Sequence, residues 1–151
     1  MNYPLISVIT VSYNAVLTIE QTILSVINQT YLNIEYIIID GGSTDGTVNV
    51  IKKYADKIAY WVSESDKGIY DAMNKGIAYS HGEYCNFINA GDKFCSSSIL
   101  KQVMDFNHVA DVICNFTSRK MENVNTALFR GCLSLPAQKD RHHYDNNEPI
   151  F

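Results

Sequence analysis

Short apolar segments alternate with segments of helical spacing along most of this chain. Four of the apolar segments have the length and composition of buried strands, at Ile6–Val11, Ile34–Ile39, Ile58–Val62 and Tyr84–Ile88. Parallel neighbouring strands need crossover connections, and those connections are usually helices. Three strand–helix–strand units in a row therefore predict an α/β fold with a mostly parallel sheet and helices on both faces.

The predicted helices share apolar residues at the i, i+3, i+4 spacing. They cover residues 19–31, 48–55, 69–80 and 99–104, and a fifth strand is predicted at 111–116. The first helix follows a capping-box pattern, in which Thr18 and Gln21 can satisfy free backbone N–H groups. In the third helix, Ala72 and Gly76 lie on the apolar stripe, which favours a close approach to the sheet.

A polar turn follows each predicted strand. These turns are Ser12–Asn14, Asp40–Gly46, Ser63–Gly68 and Asn89–Asp92. The carboxyl ends of parallel strands meet at one edge of a sheet, where doubly wound folds bind their ligands. We therefore expect the four turns to build a single ligand site.

Several acidic and amide residues in these turns are candidates for that site. Asp92 can ligate a hard divalent cation through its carboxylate, or it can cap the helix region near Ser96. Asp40 can contact a ligand, or it can bond its own turn. Asp71 and Asn74 share a helix face that points to a ligand or to solvent.

Composition narrows the classes of function. A chain of 151 residues with 46% hydrophobic residues fits one domain, and its net charge of −4 argues against nucleic acid as a partner. No window approaches the ~20 apolar residues of a membrane span. The N-terminus lacks a signal-peptide pattern and the four cysteines form no C-x-x-C pair, so we expect buried free thiols and a cytoplasmic protein.

Four segments, taken together and in order, resemble the family 2 glycosyltransferases, which have a Rossmann-like GT-A fold. The resemblance covers roughly residues 5–115, and its motifs are residues 8–14, 40–47, 63–76 and 87–92. It implies a nucleotide-sugar donor site, with Mg²⁺ or Mn²⁺ bound on the diphosphate by Asp92. The residues that the resemblance assigns to donor binding are Ser12, Tyr13, Asn14, Asp40, Asp66, Asn74, Asn89, Gly91 and Asp92.

The chain departs from the family pattern in two places. The family's D-x-D motif corresponds here to Asn89–Asp92, which contains one carboxylate. The catalytic base of these inverting enzymes follows the metal motif at a distance, and the late candidates here are Asp140 and Asp145. We expect residues 1–116 to form the nucleotide-sugar-binding core. Residues 117–151 would begin an acceptor-side region that is partly loop and stops before a base is reached.

These observations leave three hypotheses. The first is an inverting transferase that moves a sugar to a glycan or a polyprenol-linked acceptor. Its expected donor is a UDP-sugar, and its expected location is in peripheral association with the inner face of the membrane. The second is a nucleotide-sugar-binding domain without a base and without turnover. The third is a metal-dependent phosphotransfer enzyme or a response-regulator-like fold, which the lack of an acidic cluster after the first strand disfavours.

Overall fold

Four parallel strands form a sheet in the part of the chain that the structure describes, residues 3–106 of a computed structural model. The strands are β1 (Ile6–Ser12), β2 (Ile34–Asp40), β3 (Tyr60–Ser63) and β4 (Tyr84–Phe87). The helices are α1 (Ile19–Ile27), α2 (Thr47–Lys53), α3 (Ile69–Ala78) and α4 (Ile99–Phe106), with a 3₁₀ turn at Ala55–Lys57. The predicted α/β class and parallel sheet are confirmed.

Helices cover both faces of the sheet, as the sequence predicts. Every residue of β1 is buried, and its side chains alternate between two apolar clusters. Val8 and Ile38 belong to the cluster that α1, α2 and α4 complete. Ile9 and Ile37 belong to the cluster on the other face, where Ala72 of α3 packs. Full burial of each of these valine and isoleucine side chains contributes about 1.5–3 kcal/mol to stability.

Gly76 allows α3 to lie close to the sheet. A Cβ atom at this position would be 2.4 Å from Cγ2 of Ile9, which is fully buried. The close approach predicted from the small residues of this helix is therefore confirmed.

The strand order is β3-β2-β1-β4, so the chain reverses its direction across the sheet after β3. The first two crossovers step outward from β1 to β2 and then to β3. The third crossover, through α3, returns to the other side of β1 and adds β4. The exits of β1 and β4 therefore form the switch point at which such sheets bind ligands.

The first helix is shorter than predicted and is capped differently. It ends at Ile27, and Tyr31 enters the core from the loop that follows, where its hydroxyl donates to the Pro4 carbonyl. The capping-box prediction is wrong, because Thr18 makes no side-chain cap bond. Its hydroxyl instead points back to the carbonyl of Ala15, at 3.4 Å.

Three further predictions differ from the structure in detail. The second helix ends at Lys53, since the 3₁₀ turn takes up Ala55, and β3 begins two residues late, at Tyr60. Cys85 is partly buried and Cys95 is exposed, so the expectation of buried thiols is wrong for Cys95. The predicted strand 111–116 and the division at residue 116 lie outside the described residues. Within residues 3–106, no helix has the length and apolar character needed to cross a membrane.

Candidate functional site

A cleft of about 570 Å³ opens at the carboxyl edge of the sheet, a volume typical of small-molecule sites. All four strand exits contribute to its lining, together with the first turn of α3. The lining side chains and backbone include those of Ser12, Tyr13, Gly41, Asp66, Ile69 and Asn89. The four polar turns therefore meet at one cleft, as the strand arrangement predicts.

Strand register places three polar residues side by side at the ends of their strands. Ser12 pairs with Asp40, and Asp40 pairs with Ser63. Oδ1 of Asp40 accepts hydrogen bonds from the Ser12 hydroxyl (2.8 Å) and the Ser43 hydroxyl (2.6 Å). Oδ2 accepts from the Ser63 hydroxyl (2.6 Å), the Ser43 amide (2.8 Å) and the Gly42 amide (3.2 Å).

The Asp40 carboxylate is fully buried and has its hydrogen-bonding capacity filled. A carboxylate offers about four lone-pair sites, and five donors from the protein surround this one. Burial acts to raise the pKa of Asp40, but the hydrogen bonds from Ser43, Ser63 and Ser12 outweigh it and lower that pKa below its ordinary value. Asp40 therefore ties three strand exits together as an anion.

The turns after β1 and β2 are joined by further polar contacts. Asn14 has a left-handed φ of +46°, which Asn tolerates better than most residues. Its side-chain oxygen accepts from the Thr44 backbone amide (2.9 Å), and its backbone amide donates to the Ser43 hydroxyl (2.8 Å). Asp45 accepts from the Val16 amide at 3.0 Å. Asn14 thus braces one wall of the site and does not line the cleft.

Asp66 presents the carboxylate that lies within the cleft. Its Oδ1 accepts from the Gly68 amide at 2.8 Å. Its Oδ2 lies against Gly41, where a Cβ atom would be only 2.6 Å away. The absence of a side chain at Gly41 therefore leaves room for this carboxylate, which can accept a hydrogen bond from a ligand N–H group.

The Asn89–Asp92 turn closes the cleft beyond β4. The Ala90 amide donates to the Val11 carbonyl of β1 (3.0 Å), and the Asp92 amide donates to the Asn89 carbonyl (2.9 Å). Gly91 has a φ of +102°, a conformation that favours glycine. Asn89 lines the cleft, and its buried Oδ1 has no hydrogen-bond partner within residues 3–106. Buried polar atoms normally have a partner, and a ligand in the cleft can supply one to this oxygen.

The acidic side chains near the cleft can hold a metal ion only if a bound ligand supplies further oxygen atoms to the same ion. Among the described residues, no group of three His, Cys, Asp or Glu side chains could hold a metal. Asp92 offers one exposed carboxylate, two residues beyond Ala90, which lines the cleft. Mg²⁺ commonly uses one or two carboxylates and takes its other ligands from water and substrate phosphates. The residues therefore fit a metal ion that is bound together with a diphosphate.

The structure places the predicted donor-binding residues differently. Those that line the cleft are Ser12, Tyr13, Asp66 and Asn89, whereas Gly91 and Asp92 follow in the same turn as Asn89 without lining the cleft. Asn14 and Asp40 hold the neighbouring turns through their hydrogen bonds. Asn74 is exposed on α3 and does not line the cleft, and its neighbour Asp71 accepts from the Lys67 amide at 3.1 Å. The predicted candidates for the catalytic base, Asp140 and Asp145, lie outside the described residues.

Two residues that hold the site together, Ser63 and Thr22, were missed by sequence reasoning. The first three predicted strands stop one residue too early, so the pairing of Ser63 with Asp40 was hidden. Thr22 lies on the buried face of α1, among Ile19, Ile23 and Val26. A polar residue on the inward face of a helix is the signal that could have found it.

Comparison with known proteins gives one family. The model of glycosyl transferase family 2 matches residues 7–149. An uncharacterized glycosyltransferase of Mycobacterium tuberculosis is 41% identical over 103 residues, which are 68% of this chain and 39% of that protein. One of Haemophilus influenzae is 35% identical over 127 residues, 81% of this chain and 51% of that protein. The putative teichuronic acid biosynthesis glycosyltransferase TuaG of Bacillus subtilis is 38% identical over 103 residues, 66% of this chain and 41% of that protein.

Two solved structures illustrate the fold that this chain shares with other proteins. TarS 1-349 of S. aureus in complex with UDP has a TM-score of 0.64 and 27% identity, covering 72% of this chain and 34% of that chain. A mannosyltransferase from Pyrobaculum calidifontis, in complex with GDP-Man and Mn²⁺, has a TM-score of 0.67 and 24% identity, covering 74% and 34%. The chain thus spans between a third and about half of the length of these proteins.

Proposed function

The chain belongs to glycosyl transferase family 2, and from that premise we propose that its cleft binds a nucleotide-diphosphate sugar as donor for transfer to a glycan. One observation carries the proposal. Four strand exits converge on one cleft at the switch point of the sheet, with a carboxylate inside the cleft and a second carboxylate just beyond it. Nucleotides bind at this point in doubly wound folds.

We assign the nucleoside to the part of the cleft between Tyr13 and Asp66. The Asp66 carboxylate can accept the ring N–H of uracil, and the Tyr13 side chain is 68% exposed at the cleft wall, where it can pack on a base. The complex of TarS with UDP supports UDP as the nucleotide. We assign Asp40 a supporting role, because its carboxylate already accepts hydrogen bonds from five protein donors.

We place the diphosphate at the Asn89–Asp92 turn. Asp92 would hold Mg²⁺ or Mn²⁺, and Asn89 offers an amide oxygen that has no hydrogen-bond partner within residues 3–106. The Mn²⁺ in the Pyrobaculum calidifontis complex supports a divalent ion in this fold. When bound, such an ion stabilises the charge of a leaving diphosphate as a Lewis acid. The neighbouring side chains of this chain would orient the donor and exclude water.

Inversion at the sugar carbon and the identity of the base stay predictions, with Asp140 and Asp145 as the candidates. The acceptor is proposed as a surface glycan or its polyprenol-linked precursor, since the similar protein TuaG is named for teichuronic acid biosynthesis. The cytoplasmic location and the association with the membrane face also stay predictions.

Calorimetric titration with UDP, GDP and ADP, each in Mn²⁺ and in EDTA, tests the donor site. We expect UDP to bind, and Mn²⁺ to tighten its binding. At 100 times the dissociation constant, a ligand also adds about 2.7 kcal/mol to stability, which a melting curve detects. Asp92→Ala should remove the gain from Mn²⁺ and leave binding in EDTA unchanged.

Asp56→Ala provides the matched control, because Asp56 is exposed in the 3₁₀ turn at the opposite edge of the sheet. It should bind UDP as the wild type does in both conditions. If none of the three nucleotides binds to the wild type, the proposed donor site is wrong. If Asp92→Ala keeps the full gain from Mn²⁺, the metal ligand lies elsewhere.

A further inference from the structure

The segment that follows β4 is held by a row of polar side chains, which lie on α1 and just after its C-terminal end. Thr22, Ser25 and Gln29 lie on the same side, and each bonds to the backbone of residues 91–96. The Phe94 amide donates to the Ser25 hydroxyl at 3.2 Å, and the Gln29 side-chain amide donates to the Ser96 carbonyl at 2.7 Å. This segment is therefore fixed to α1 by side chains as well as by apolar packing.

Thr22 makes two hydrogen bonds that bracket the candidate metal ligand. Its hydroxyl accepts from the Gly91 amide at 3.0 Å and donates to the Asp92 carbonyl at 2.6 Å. Thr22 is fully buried, so water does not compete for either bond. One hydroxyl thus satisfies backbone groups of two consecutive residues, in a turn that already has a left-handed Gly91.

From these contacts we infer that Thr22 is a positioning residue for the donor diphosphate: its hydroxyl fixes the backbone of Gly91 and Asp92 and thereby aims the Asp92 carboxylate. The inference rests on the proposed function, which makes Asp92 a ligand of the metal ion. A single carboxylate has to be well placed, because Mg²⁺ demands near-ideal octahedral geometry. Groups that orient metal ligands typically change metal affinity by about 10-fold to 100-fold when they are removed.

The substitution Thr22→Val tests this role, since valine keeps the branched shape and lacks the hydroxyl. We expect it to reduce the tightening of UDP binding by Mn²⁺ by about 10-fold or more, with binding in EDTA unchanged. Thr22→Ser keeps the hydroxyl and should keep the tightening. In the ligand-free protein, Thr22→Val should also accelerate hydrogen exchange of the Gly91 amide, which loses its acceptor.

Ser25→Ala is the matched control, because Ser25 lies one turn further along α1 and bonds to Phe94 rather than to Asp92. It should weaken the fold without a selective loss of the Mn²⁺ effect. If Thr22→Val fails to fold, Thr22→Ala is measured in its place, since it removes the same hydroxyl from a smaller side chain.

The outcomes are distinguishable. Full Mn²⁺ tightening in Thr22→Val, or its loss in Thr22→Ser, overturns the inference and leaves the proposed donor site standing. Equal loss in Ser25→Ala also overturns it, since the effect would then belong to the helix as a whole. If the wild type binds none of UDP, GDP and ADP under either condition, the proposed function fails and the inference fails with it.

Discussion

Replacing Asp40 by Asn tests whether this carboxylate organises the site. Asn has the same shape but only one acceptor oxygen. That oxygen must face the backbone amides of Gly42 and Ser43, because a backbone N–H group can only donate a hydrogen bond. The new amide nitrogen then faces the hydroxyls of Ser12 and Ser43. Both hydroxyls must reverse from donating to accepting.

The expected loss of stability follows from those bonds. Hydrogen bonds to a charged group contribute about 1.5–3 kcal/mol each, and neutral ones about 0.5–1.5. Asp40 accepts five such bonds, and all five become weaker or reverse in the variant. The variant recovers part of this loss because it no longer buries a charge. We therefore expect Asp40→Asn to lower the free energy of unfolding by about 2–4 kcal/mol near pH 7.

Urea unfolding at a series of pH values measures this loss, with Asp56→Asn as the control for the same chemical change at an exposed site. The pKa of Asp40 is lower in the folded protein than its ordinary value of about 3.9. Its contribution is therefore fully present above the unfolded pKa and is lost as the pH falls through the folded pKa. The difference between wild type and Asp40→Asn should thus shrink below about pH 4.

Two results would refute this reasoning. One is an Asp40→Asn variant whose stability lies within about 0.5 kcal/mol of the wild type, the range of ordinary surface changes. The other is a difference that stays constant through the acid range, because a carboxylate that is stabilised as an anion must lose that stabilisation when it is protonated.

Two glycine substitutions separate packing from binding. Gly76→Ala should lower the free energy of unfolding, measured in urea titrations, by about 1–2 kcal/mol. The new Cβ would lie 2.4 Å from Ile9, and the cost of overpacking the core exceeds the gain in helix propensity. An unchanged or higher stability would show that α3 can shift away from the sheet. Gly41→Ala should keep the free energy of unfolding within about 1 kcal/mol of the wild type. It should weaken UDP binding by about 10-fold, because the new Cβ displaces the Asp66 carboxylate. Unchanged affinity for UDP would show that Asp66 does not contact the nucleoside.

The order of strands and helices could be predicted because hydrophobic periodicity is a local signal. The triple-isoleucine end of β2 and the apolar spacing of α3 each indicate one type of element, and both elements form as expected. Crossover topology then places all strand exits on one edge, which locates the cleft without any tertiary information. Spacing alone does not locate the ends of the elements, since Tyr31 has helical spacing but packs into the core from a loop.

The hydrogen bonds within the site could not be predicted, because they depend on the strand register between segments that are distant in sequence. Ser12, Asp40 and Ser63 become neighbours only when three strands align at their last residues. The sequence treats each of them as a turn residue, and a turn-starting Asp is expected to bond its own backbone. Asp40 does so through Gly42 and Ser43 and also binds the other two strands.

Asp40 and Thr22 therefore represent one kind of site residue, and Asp66 and Asp92 another. The first two are fully buried and bond to backbone or hydroxyl groups on both sides of a turn. Asp66 offers a carboxylate in the cleft and Asp92 an exposed one just beyond the cleft lining in sequence, on turns that the first two hold. Binding by a preorganised turn loses less entropy than binding by a mobile one. Substitutions at Asp40 and Thr22 should consequently change stability and affinity together, whereas substitutions at Asp66 and Asp92 should change affinity alone.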